Sequence, residues 1–101
     1  MSNGTSSSAK SPSEYNFNYR IKNGRKLGLL RAFDNGKFTY LQFKSLSDFP
    51  AIFWVDETKG ESIVNFRIEG PYVVVERVVH KLLFRKGKVV GYLVNKAKSD
   101  S

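Results

Sequence analysis

Short runs in which apolar and polar residues alternate, each ended after a few positions by glycine, asparagine or proline, dominate this sequence and rule out most helical folds. Tyr15, Phe17, Tyr19 and Ile21 alternate with Asn16, Asn18, Arg20 and Lys22, a period of two that gives a strand one buried and one wet face. Asn23-Gly24 is turn chemistry, Leu27 to Phe33 reads as a second strand, and Asp34-Asn35-Gly36 turns the chain into a third, Lys37 to Phe43, as a tight hairpin. Ser45 to Pro50 reads as a loop, since proline can begin a strand but not continue one. Ala51 to Asp56 is an almost unbroken apolar run of the kind buried in a sandwich interior. Ser62 to Glu69, Tyr72 to Glu76, Leu82 to Arg85 and Lys88 to Asn95 complete the series. Arg77 to Phe84 could be wound as a helix, yet Val78 and Val79 and the short length favour extended chain. About eight short strands with brief turns predict an all-β fold, either an antiparallel β-sandwich or a closed barrel.

The 101-residue length allows one domain. Residues 1–14 hold almost nothing apolar and read as a disordered leader or cloning remnant, 15–95 as the β domain, and 96–101 as a disordered tail. Roughly 80 residues remain to fold, a size that is marginal alone. With no cysteine in the chain, disulfides cannot help. Eight Phe, five Tyr and one Trp are more aromatic surface than so small a core buries, so some are expected on a face that another chain covers. Seventeen Lys and Arg against nine Asp and Glu give a net charge of +8. The basic residues gather at Arg20, Lys22, Arg25, Lys26 and Arg31 and again at Lys81, Arg85, Lys86 and Lys88. Such clusters fit attraction to nucleic acid or anionic lipid, and equally the solvated faces and lysine-guarded edges of a sheet.

Chemistry is sparse. His80 is the single histidine and lies in an apolar run. Neither His, Cys nor carboxylates cluster in sequence with metal-ligand spacing, and no serine elbow or glycine-rich phosphate cradle occurs. Asp56 and Glu57 stand at a strand end beside a turn, where acidic residues are common without function. The chain reads as a binding module rather than an enzyme, with no catalytic residue, cofactor or metal expected.

Four segments stand in a specific order and spacing: RAFDNGKFTYLQF (31–43), FPAIFWVD (49–56), GESIVNFRIEG (60–70) and YVVVER (72–77). Together they resemble the C-terminal domain of the TrbG/CagX family (TraO-like subunits) of type IV secretion systems, over Tyr15 to Asn95. The resemblance implies a β-sandwich in the outer-membrane layer of a ring-shaped core complex. It also implies a short lipoprotein wrapped around the domain, a channel-forming subunit packed beside it, and a periplasmic location held at the outer membrane through the partner. The family's N-terminal domain and signal peptide are missing, so an excised domain with an added leader is expected, monomeric when isolated. Two further departures are Leu29 and Leu30 where the family often has proline, and Trp54, bulkier than the usual occupant.

An open sandwich leaves edge strands with unpaired backbone groups that a partner can satisfy by adding a strand. Tyr15, Phe17, Tyr19 and Ile21 are the candidate partner-contacting edge, although the same alternation is required if they are ordinary core residues. Trp54 is either an enlarged core residue or a partner contact, and Arg67 and Arg77 either structural ion pairs or contacts to a neighbouring subunit. Gly36, Gly60 and Gly70 are expected to serve turns, and Phe38, Tyr40, Phe53, Val64, Phe66 and Val74 to fill the core. The alternative function is a basic, aromatic β-barrel that binds single-stranded nucleic acid by stacking, supported by Tyr19-Arg20 and Phe38-Thr39-Tyr40; the assembly reading needs no specific nucleic acid.

Overall fold

A computed structural model describes residues 15–56, 58 and 60–97 of the chain; the expected leader and most of the expected tail lie outside them. The strands are β1 (Tyr19–Lys22), β2 (Leu29–Asp34), β3 (Thr39–Phe43), β4 (Ala51–Val55), β5 (Glu61–Ile63), β6 (Phe66–Glu69), β7 (Tyr72–Val75), β8 (Lys81–Lys86) and β9 (Val89–Asn95), with one helical turn, α1 (Gly24–Leu27). They form two antiparallel sheets, a five-stranded one in the order β1-β9-β8-β4-β5 and a four-stranded one in the order β2-β3-β7-β6. The sheets stack face to face without closing, so the fold is the expected sandwich and not a barrel.

Period-two burial places the core between the sheets. Leu29, Ala32, Leu41, Phe43, Val73 and Val75 from the four-stranded sheet meet Ile52, Leu82, Phe84 and Leu93 from the five-stranded one, and all are buried. Phe43 and Phe84 meet edge to face across the layers at 6.0 Å between ring centroids. The predicted hairpin is β2–β3, with Phe33 opposite Tyr40 and Asp34 opposite Thr39, and a register shift between Leu29 and Arg31.

Three local readings need correction. The run Ser62 to Glu69 is two strands in different sheets: β5 pairs with β4, β6 pairs with β7, and the chain crosses at Val64, which is buried. A continuous strand would have kept Val64 and Phe66 on one sheet. The second strand begins at Leu29 rather than Leu27, because Gly24–Leu27 form a helical turn. Asn23 at φ 60° starts it and Gly28 at φ 77° ends it, a left-handed conformation that glycine adopts without a steric cost. This turn carries the chain from one sheet to the other and drops Leu27 into the core at 1% exposure; one turn is too short to show helical periodicity in the sequence. Finally, only Tyr19–Lys22 of the opening alternation is strand, while Asn16 makes an isolated bridge to Asp34.

Candidate functional site: the two sides of the sandwich

Each long side of the sandwich has two terminal strands and one crossing of the chain. On the first side lie β1 and β2, joined by α1. Residues 15–18 strap this side. Asn16 exchanges backbone hydrogen bonds with Asp34 of β2 at 2.8 and 3.0 Å, after which the chain enters β1 alongside β9.

The strap is held by a polar clasp. Asp34 is 4% exposed. Its Oδ2 accepts from the Tyr19 hydroxyl at 2.6 Å and the Asn16 amide at 2.9 Å, and its Oδ1 from the Gly36 N–H at 2.9 Å. The Asn16 Nδ2 also donates to Oδ1 of buried Asn95 at 2.8 Å. One carboxylate of the four-stranded sheet is thereby bonded to β1 of the other sheet, and through Asn16 to β9. A carboxylate so buried is tolerated because its lone pairs are met by donors. Burial, reinforced by the bond to Asp34, pushes the Tyr19 phenol above its ordinary pKa.

The strap splits the predicted four-residue edge. Tyr15 and Phe17 lie on the outer face of the four-stranded sheet, where both rings meet Phe33 at 5.5 and 5.3 Å. Phe33 stacks on Tyr40 at 5.1 Å, and Tyr72 meets both edge-on at 5.5 and 5.8 Å. Tyr19 and Ile21 are instead on the inner face, opposite buried Asn95 and Leu93. The expected surplus aromatics are therefore an external platform, with Phe17 54% exposed. Of the residues expected in the core, Val64 and Val74 are buried, Phe38, Tyr40 and Phe53 are half-buried, and Phe66 is exposed. Gly36 and Gly70 have positive φ as turn glycines do, whereas Gly60 does not and donates its N–H to Asp56 Oδ1 at 2.8 Å. The Thr58 hydroxyl on that same carboxylate, with the Gly60 N–H, holds the Asp56 pKa below its usual value.

On the second side lie β5 and β6, joined through Val64 and Asn65. Ile63 is 84% exposed, and Phe66 and Ile68 are also open to solvent. A cleft of about 280 Å³ lies here, floored by Trp54 and Val64 and walled by Ser62, Asn65, Glu76 and Arg77. Trp54 packs against the core cluster and also lines the cleft. The Arg77 guanidinium lies over its ring at 4.3 Å.

The other arginines are differently placed. Arg67 pairs with Glu69 and, at 2.8 Å, with Glu76, while its guanidinium covers Phe38 at 4.8 Å. Its hydrogen bonds to Glu69 and then Glu76 raise its pKa further. Arg85 pairs with Glu61 at 3.0 Å and lies over Phe53. Sequence reasoning flagged Arg67 and Arg77 alike; the structure makes the first an ion pair and the second an aromatic stack. It missed Asp34, Asn16 and Asn95, because hydrogen-bonding across 18 and 79 residues of separation leaves no local pattern. The two basic clusters meet on the outer face of the five-stranded sheet, where Arg20 and Lys81 both stand opposite Val94 and the Lys81 ammonium lies over Tyr92, the residue opposite Lys22; Arg25 and Lys26 on α1 and Arg31 on β2 are exposed. Among the described residues, no three of His, Cys, Asp and Glu come together as a metal site, and no helix is long and apolar enough to cross a membrane.

Residues 2–96 match the family of CagX, described as conjugal transfer protein. The chain is 41% identical over 87 residues to the type IV secretion system protein virB9 of Brucella abortus biovar 1 (strain 9-941), covering 79% of this chain and 30% of that protein. It is 36% identical over 66 residues to the type IV secretion system protein PtlF of Bordetella pertussis, covering 65% of this chain and 24% of that one. The chain thus spans less than a third of the length of these relatives.

Proposed function

Because the chain belongs to the CagX family of conjugal transfer proteins, we propose that it is a structural assembly domain of a type IV secretion machine, built to hold other subunits rather than to perform a reaction. In this reading it binds a short outer-membrane lipoprotein and a channel-forming subunit, sits in a homo-oligomeric ring, and works in the periplasm against the outer membrane. The similarity to virB9 and PtlF supports the secretion role.

The observation that carries the partner reading is β1. It is the terminal strand of the five-stranded sheet and among the described residues pairs with β9 alone, so its outer edge can accept a strand, although the Tyr19 N–H on it already donates to the Phe17 carbonyl at 2.9 Å. Exposed apolar side chains flank it at Phe17, Ile21 and, across α1, Leu30. Backbone pairing contributes about 0.5–1.5 kcal/mol per bond, so these anchors supply much of the affinity. Tyr19 takes part through its backbone carbonyl, its N–H being held by the Phe17 carbonyl and its hydroxyl by Asp34. Trp54, Arg67 and Arg77 lie away from this edge and face a different neighbour.

A titration with a synthetic peptide from the mature lipoprotein tests the assignment. Amide resonances of Tyr19–Lys22 and of paired β9 should move together, with slower amide exchange along β1. No movement at high micromolar peptide would remove the lipoprotein from the proposal.

A further inference from the structure

We infer that the cleft on the β5–β6 side is a second docking site, which takes an extended segment of another polypeptide with alternating apolar and acidic side chains. The inference rests on the assembly reading and names the chemistry of a further partner.

The register of β5 sets the pattern. Ile63 stands opposite Phe53 on the outer face of the five-stranded sheet, and Ser62 stands opposite Trp54 on the inner face, at the cleft. β5 is the terminal strand of its sheet, so a segment laid along it alternates in the same way. A residue beside Ile63 covers a side chain that is 84% exposed and is therefore apolar. The next one, beside Ser62, points over Trp54 toward Arg77.

That position calls for a carboxylate. The Arg77 guanidinium lies over the Trp54 ring at 4.3 Å, beside the cleft, and its planar fork of N–H donors fits a carboxylate. Among the described residues no carboxylate pairs with it. The acid in the cleft wall, Glu76, accepts from Arg67 instead. The backbone under Arg77 is fixed, because the hydroxyl of buried Thr39 donates to its carbonyl at 2.8 Å and the Glu76 N–H donates to the Asn65 carbonyl at 3.0 Å. A positioned guanidinium beside an exposed isoleucine, on a chain of net charge +8, is complementary to an acidic–apolar strand.

The test replaces Ile63 with the photo-crosslinking residue benzoylphenylalanine in the full-length protein, within cells that assemble the secretion complex. The crosslinked segment is then mapped by mass spectrometry. The expected product joins Ile63 to another subunit, at a segment with an Asp, a Glu or a terminal carboxylate next to the linked residue. Arg77→Gln should lower the yield about tenfold. Arg77→Glu combined with Lys at the mapped acid should restore it. If Arg77→Gln loses its fold, the yield is read with Arg77→Lys, which keeps the charge but loses the planar fork. The inference is overturned by a linked segment without an acid, by a yield indifferent to Arg77, by no crosslink from a chain that has assembled, or by products confined to lipid, nucleic acid or a second copy of this chain. A chain that never enters the complex overturns the assembly reading itself, and the two failures are told apart by co-purification before irradiation.

Discussion

The two sides of the sandwich end their sheets in opposite ways. On the strapped side, residues 15–18 bridge to terminal strand β2 before entering β1, and a buried carboxylate ties both layers and the strap together. On the other side the chain merely crosses between sheets at Val64, and Ile63, Phe66 and Ile68 are left in solvent. A domain this small has little stability to distribute. Cross-links concentrated on one side leave the other with few internal obligations, and a partner there need not displace anything.

If the strapped side holds the layers together, cutting its clasp should have the largest effect. Asp34→Ala removes the acceptor of three hydrogen bonds, from Tyr19, Asn16 and Gly36, and leaves buried donors unmet. A loss of about 3 kcal/mol or more is expected, read as a lower denaturant midpoint, with faster amide exchange at Asn16 and Tyr19. A change under about 1 kcal/mol would mean that the clasp is incidental.

Overpacking the same side comes next. Gly91 of β9 lies under α1, where an added methyl would meet the Leu27 side chain and stand 2.5 Å from the Lys22 carbonyl oxygen. Backbone cannot yield as a flexible side chain can, so Gly91→Ala should cost about 1–3 kcal/mol. Calorimetry would show it as a lower Tm, and an unchanged Tm would place slack between α1 and β9.

The phenol gives a smaller effect with a sign. The pKa of Tyr19 is raised by burial and by Asp34, so the folded state holds this proton more tightly than the unfolded chain, whose tyrosines titrate near 10. Its contribution is therefore complete below about pH 10 and lost as pH rises past that value. Tyr19→Phe should cost about 1.5 kcal/mol at neutral pH and flatten the alkaline fall. A variant that keeps the full alkaline fall would assign it to another group.

Much of this was legible in the sequence, for a physical reason. Strand burial shows in near neighbours, so β2, β3 and β9 could be read from alternation and β4, β7 and β8 from short apolar runs bounded by turns. The switch at Val64 could not, since a strand that changes sheets keeps its alternation, and only the partners of Glu61–Ile63 and Phe66–Glu69 reveal the break. Tyr15 and Tyr19 fail for the same reason: equal spacing hides that one ring joins an outer platform while the other enters the interior. Trp54 and Arg77, 23 positions apart in the sequence, were singled out separately, and only the fold stacks one on the other.

The smallest effects belong to the unstrapped side, and they sharpen the contrast most. Arg67→Ala breaks pairs whose side chains are 40–48% exposed, and solvent screening leaves such pairs little effect on the denaturant midpoint. Ile63→Ser should change stability by no more than about 0.5 kcal/mol, because a side chain already in water loses no burial when shortened. The same substitution should weaken assembly into the secretion complex, measured by co-purification against the parent chain. That pair of outcomes would place the value of an apolar Ile63 in a bound state rather than in the lone fold. Should Ile63→Ser instead lower the denaturant midpoint as Asp34→Ala does, the two sides would share the work of stability, and the β5 edge would be part of the fold rather than a surface kept open for another chain.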